Sequence, residues 1–203
     1  EIIMKEQSHY IEILILVKDD IELVYTILHG IFHRHKEESG SQKIGISFPY
    51  YENDKGFVGH VFRLIGNETD LNKIKGMISN SSIKTMNNVK VKDNIVTIPD
   101  AVEHVSFYRY RADNYISKNK LKKQAEYIYN KAKEDGKEMT SAELISVVDE
   151  IKSNLIKTHN LKIHGDKNYY LAVRQQKDVN QKVGEFSVFG LSKKHEPVTV
   201  PLF

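Results

Sequence analysis

Apolar residues in the first hundred positions alternate between two periods. His9-Tyr-Ile-Glu-Ile-Leu-Ile-Leu-Val17 is dense and rich in β-branched residues, and Lys18-Asp19-Asp20 bounds it, so it predicts a buried strand. Leu23, Ile27 and Ile31, with Val24, Leu28 and Phe32, then recur every three or four residues. That spacing predicts a helix over 21–35, capped by Asp19 or Asp20 and broken by Ser39-Gly40-Ser41. Residues 43–48 predict a short strand stopped by Pro49, 50–56 a polar loop, and 58–65 a third strand. Asn67 or Thr69 opens a second helix with Leu71, Ile74 and Met77 on one face. After polar residues 80–88, positions 89–98 alternate as one or two strands, closed by Pro99.

The order β-α-β-β-α-β predicts a ferredoxin-like first domain over 1–103: an antiparallel sheet with two helices on one face. Many functions use that architecture, so it names none. The remainder, 104–203, predicts a further α+β region. Residues 104–111 form a strand in which aromatics and bases alternate. A lysine-rich helix starts at Ser117 or Asn119 and reaches Lys133; a second runs over 141–157, with Ser141-Ala-Glu-Leu as a weak cap. Residues 161–166 are polar and basic, 169–174 and 184–189 predict strands, and a tail with Pro197 and Pro201 follows.

Composition narrows the chemistry. The 203 residues are 40% hydrophobic and 28% charged, which suits a packed core. With no cysteine there is no disulfide framework, thiol nucleophile or thiolate metal site. This fits a reducing cytoplasm, and no apolar run approaches the ~18 residues needed to cross a bilayer. The net charge of +3 is unevenly placed. Residues 1–104 carry 12 basic and 15 acidic side chains (−3), residues 105–133 carry 8 and 2 (+6), and residues 134–203 carry 10 of each. A basic segment of about thirty residues on a near-neutral chain is either a solvated helix face or a face for a polyanion.

Lys118, Lys120, Lys122 and Lys123 fall within two helical turns, followed by Lys131 and Lys133. Such a helix can lie along RNA phosphates and release counterions. Arg109 and Arg111, two apart on a strand, share a face and suit forked contacts to guanine or phosphate. His29 and His33 lie one turn apart on the first helix, near His35. Without an intervening glutamate or a third ligand they make no zinc-protease motif. His33 reads either as a core-edge residue or as a proton-transfer group, the role imidazole suits near neutrality. Phosphate loops, nucleophile elbows and dinucleotide fingerprints are absent from the sequence.

Several segments together resemble the CRISPR repeat-processing endoribonucleases of type I-F systems. They are His9-Tyr10; Leu28-His-Gly-Ile-Phe-His33; Lys43-Ile-Gly-Ile-Ser-Phe-Pro49; Val105-Ser-Phe-Tyr-Arg-Tyr-Arg-Ala112 with the basic helix; and Phe189-Gly-Leu-Ser-Lys193 with Pro197-Val-Thr-Val-Pro-Leu-Phe203. The resemblance implies metal-independent cleavage at the 3′ base of a repeat hairpin, without a cofactor. It casts His33 as the base that deprotonates the 2′-hydroxyl, whose in-line attack leaves a 2′,3′-cyclic phosphate and a 5′-hydroxyl. It casts Arg109 as the reader of a guanine near the cut. Lys118, Lys120, Lys122 and Lys123 become the groove-facing cations, and Tyr169 the aromatic that stacks on the terminal base pair.

Three positions depart from the family pattern. Arg111 stands where a glutamine is usual. Lys162 occupies the place of a ribose-positioning serine, a role left to Ser153 or to this loop unless the hydroxyl is held differently; Lys162 could instead stabilise phosphate charge and His164 protonate the leaving oxygen. Phe189 replaces a tyrosine and can orient His33 by packing alone. The implied partners are the repeat RNA hairpin and the backbone subunits of a type I-F surveillance complex, with no membrane involved. A hairpin-binding structural subunit without useful catalysis is the competing expectation, and an unrelated ferredoxin-like interaction module the third.

Overall fold

In a computed structural model, the described residues are 7–52, 57–100, 102–110, 118–137, 139–153, 159–164, 169–178, 180–193 and 195–203; within them the side chains at 110, 118–121, 124, 150–153, 159–160 and 169 are not described. Two compact units emerge: Glu1–Tyr110 with Thr158–Phe203, and Arg111–Lys157. The sequence-based boundary between 103 and 104 therefore falls inside the first unit.

Strand β1 (His9–Ile15) buries Ile11, Ile13 and Ile15 completely and turns Tyr10, Glu12 and Leu14 the other way. Helix α1 (Asp20–Ser39) covers the buried face with Ile21, Val24, Tyr25, Leu28, Ile31, Phe32 and His35. Asp19 holds the N-cap position but makes no side-chain cap bond; Gly40, at φ +76°, ends the helix. β2 (Gly45–Ser47), β3 (Val61–Gly66) and α2 (Glu68–Ser79) follow, and the Asn67 side chain caps α2 by accepting from the Asp70 amide at 2.8 Å. A 3-10 turn at Ser82–Thr85 leads to β4 (Val89–Val91) and β5 (Val96–Thr97). The antiparallel sheet has the order β2-β3-β1-β4, with β5 also pairing β1, as expected of a ferredoxin-like unit. On its other face Arg63 bonds Glu12 at 2.9 Å, donates to the Phe203 carbonyl, and lies against the Tyr10 and Phe203 rings.

A second antiparallel sheet has the order β7-β8-β6-β9, from β6 (Glu103–Tyr110), β7 (His159–Ile163), β8 (Tyr169–Asp178) and β9 (Val200–Leu202). Its Val105, Phe107, Leu161, Ile163, Leu171 and Val173 join the same apolar core as α1. Phe48 links the two sheets by edge-to-face contacts with Phe62 and Phe107, at 5.1 and 5.0 Å between ring centroids. Three sequence expectations change here. Polar residues 159–163 form a strand. The proline-bearing tail supplies edge strand β9, where Pro201 is tolerated. Residues 184–189 form no strand: the Phe186 amide bonds the Gln42 carbonyl, and its ring fills the space over Gly45, whose added Cβ would lie 2.4 Å from it.

The second unit holds α3 (Lys118–Glu134) and α4 (Ser141–Ser153). Gly136, at φ +72°, closes α3 with paired bonds, its own amide to the Lys133 carbonyl and the Lys137 amide to the Ala132 carbonyl. The cap of α4 is Thr140, one residue before the expected Ser141. Its hydroxyl accepts from the Glu143 amide while the Glu143 carboxylate accepts from the Thr140 amide and hydroxyl.

Candidate active site

One stripe of α1 faces the turn after residue 187. Tyr25, His29 and His33 succeed each other at four-residue spacing, so their side chains stand one above another. The Tyr25 hydroxyl donates to the Phe189 carbonyl at 2.8 Å, and His29 Nδ1 lies 3.0 Å from the Val188 carbonyl. A carbonyl only accepts, so this nitrogen carries the proton in neutral His29. Two helical side chains thus hold consecutive carbonyls of the turn. Gly190 bends the chain there at φ +68°; any Cβ would sit 2.7 Å from the Phe32 ring. Its carbonyl accepts from Ile46, and Ser192 donates its amide to Phe107 of β6. The Gly-Leu-Ser segment therefore ties helix, first sheet and second sheet together.

This packing makes a file of side chains. The His29 ring stacks on Phe189 with centroids 4.4 Å apart and planes 14° apart. His33 meets His29 edge-on at 5.8 Å. Arg109 continues the β6 face that buries Val105 and Phe107, and its guanidinium carbon lies 5.6 Å from the Phe189 centroid. His33 itself is open, with 56% of its side chain exposed, and its Nδ1 lies 3.6 Å from a Glu37 carboxylate oxygen. Burial holds His29 below the usual histidine pKa; the bond to Val188 opposes this and the neighbouring His33 reinforces it. An accessible imidazole and an arginine fork thus flank a half-buried aromatic wall.

The other expected residues divide into three groups. Lys162 pairs with Tyr170 between the buried Leu161 and Ile163, so strand alternation turns it to the face opposite them. His164 lies further back along α1: its amide donates to Thr26 Oγ1 at 3.2 Å and its Nε2 is 3.9 Å from Glu22. At 1.5 Å rise per residue, Thr26 and Glu22 are roughly 10 and 16 Å from His33 along the helix. His164 is thus not brought to the His33 file. Arg111 lies outside the described residues, as do the side chains of Lys118, Lys120, Ser153 and Tyr169. Lys122 and Lys123 are exposed on α3, in the other unit; Lys122 lies 3.9 Å from Glu126. Among the described residues no group of three or more His, Asp or Glu side chains could hold a metal ion, and no helix is long and apolar enough to cross a membrane.

His29 was legible only as a neighbour of His33. Its four-residue spacing from Tyr25 and His33 was the available signal; its partner Phe189, 160 positions away, left no mark in the sequence.

No curated protein matches the sequence. The family described as CRISPR-associated protein (Cas_Csy4) matches over residues 10–203, a span that takes in the α1 stripe, β6 and the Gly-Leu-Ser turn. The chain therefore belongs to the CRISPR-associated Csy4 family, a family of CRISPR RNA endonucleases.

Proposed function

We propose that the protein is a metal-independent endoribonuclease that cuts CRISPR precursor RNA at the 3′ base of the repeat hairpin. It leaves a 2′,3′-cyclic phosphate and a 5′-hydroxyl and remains on the product hairpin within a type I-F surveillance complex. The observation that carries this reading is the file Arg109–Phe189–His29–His33, which has a guanidinium at one end and an exposed imidazole at the other. His33 accepts the proton of the 2′-hydroxyl. The Glu37 carboxylate beside Nδ1 favours a proton on that nitrogen and so directs the lone pair to Nε2. The freed alkoxide attacks the adjacent phosphorus in line, and the bond to the 5′-oxygen breaks. Arg109 reads the guanine edge next to the cut. Lys118, Lys120, Lys122 and Lys123 attract the stem phosphates, joined by Arg111, and Tyr169 stacks on the terminal pair. His164, held at Thr26 and Glu22, receives no part in the reacting centre, and water protonates the leaving oxygen.

Phe189, which has no hydroxyl with which to hold His33, favours a second reading: a hairpin-binding subunit with little turnover. Incubation with a repeat hairpin in chelator separates the two. Wild-type cleavage that disappears in His33→Ala while hairpin affinity stays within about threefold supports the nuclease, since a lost general base costs roughly 10²–10⁴ in rate. Tight binding without cleavage at any pH supports the scaffold.

A further inference from the structure

The geometry points to His29 as the positioning residue for His33, an inference that rests on the proposed role of His33 as base. The ring of His29 contacts both Phe189 and His33. His29 is fixed on two sides. Its plane lies 14° from that of Phe189 at 4.4 Å, and its Nδ1–H donates to the Val188 carbonyl. The turn carrying both partners is itself held by the Tyr25 hydroxyl and by Gly190 against Phe32 and Ile46. Among the described residues His33 has no comparable anchor: it is mostly exposed, and its polar neighbour Glu37 is a side chain 74% exposed, at 3.6 Å. The 72° edge-on contact with His29 at 5.8 Å is thus the firm surface that limits the His33 ring.

The arrangement answers the missing hydroxyl of Phe189. A phenyl ring cannot hydrogen-bond an imidazole, yet it can carry a second, flat imidazole that packs against the first. The Val188 bond fixes the rotation of His29, so the orientation of the turn passes to His33 through one rigid ring. Because Arg109 lies against the same Phe189, a guanine held by Arg109 loads the wall on which His29 rests. His29 itself transfers no proton in this scheme.

Three proteins test this: wild type, His29→Ala and His29→Phe, the last keeping a flat ring on Phe189. Single-turnover cleavage of a repeat hairpin in chelator is measured beside hairpin Kd. His29→Ala is expected to slow cleavage at saturating protein about 10- to 100-fold, the scale of a small misplacement of a reacting group. Its Kd stays within threefold, and His29→Phe recovers most of the lost rate. Wild-type rate in His29→Ala overturns the inference, as does a Kd that weakens in step with the rate, or His29→Phe as slow as His29→Ala. If the wild type itself fails to cleave, the nuclease reading fails, and the inference is read from the His33 ring-proton resonance instead. A shift lost in His29→Ala and kept in His29→Phe supports the packing; one unmoved in both overturns it.

Discussion

In the unit of Glu1–Tyr110 and Thr158–Phe203, Ile11, Phe32, Phe62 and Val173 have no exposed surface and belong to one continuous core. In the unit of Arg111–Lys157, no described side chain is buried; Ala125, Ile128, Leu144, Val147 and Val148 are only half-covered. The first unit rests on burial, at roughly 25 cal/mol per Å² of apolar surface. The described ends of the helical pair are closed by polar chemistry, the glycine closure of α3 and the reciprocal cap of α4. The contrast suits the proposed division of labour. A reacting group must be held to within about half an ångström, which a dense core provides. A cationic helix needs only to present charge, and long-range attraction acts without close packing.

The comparison breaks most visibly at Phe32, which is fully buried and packs over Gly190. Phe32→Ala is expected to cost about 3–5 kcal/mol in urea denaturation and to slow cleavage, because the turn under Phe189 loses its support. A loss below about 1 kcal/mol would mean that the core relaxes around the gap. Lys122→Ala with Lys123→Ala tests the other side. Stability stays within about 0.5 kcal/mol, since both side chains are exposed, while the slope of log Kd against log salt falls by roughly 1–2. An unchanged slope removes these lysines from the interface. Thr140→Ala is expected to cost about 1 kcal/mol, confined to amide exchange in α4, because only that helix loses its cap. A uniform loss of protection across both sheets would show that the two units unfold as one.

The smallest effect is on pH. Burial lowers the pKa of His29, and also of His104, so below about pH 6.5 the unfolded chain binds more protons than the native state. Stability is then fully kept above that pH and falls as pH drops from there through the lowered native values. His29→Phe removes one of these groups, and its stability is expected to fall less steeply between pH 7 and 5; an identical slope contradicts the burial of His29 in its neutral form.

Much of the first sheet was legible because strand and helix periods differ and each segment had one buried face. The strand at 159–163 was not, since Leu161 and Ile163 point inward among residues that are otherwise polar in sequence. β9 was hidden by Pro201, which an edge strand tolerates. Residues 184–189 alternate like a strand, yet Phe186 is bonded to Gln42 and spent on Gly45. In the candidate site, His33 and Arg109 could be nominated from the resemblance. The placement of Lys162 needed the pairing with Tyr170, and that of His164 needed the contacts with Glu22 and Thr26. Register and long-range packing are fixed by partners far along the chain, and local spacing does not carry them.

The 2′-hydroxyl is the atom on which the account turns, and one substrate tests it. A repeat hairpin with a single 2′-deoxy nucleotide immediately before the 3′ foot of the stem, incubated in chelator, is expected to bind with unchanged affinity and to remain intact. The all-ribose hairpin is cut there to a 2′,3′-cyclic phosphate. Cleavage of the deoxy hairpin at that bond would contradict the mechanism, because the nucleophile would then come from elsewhere.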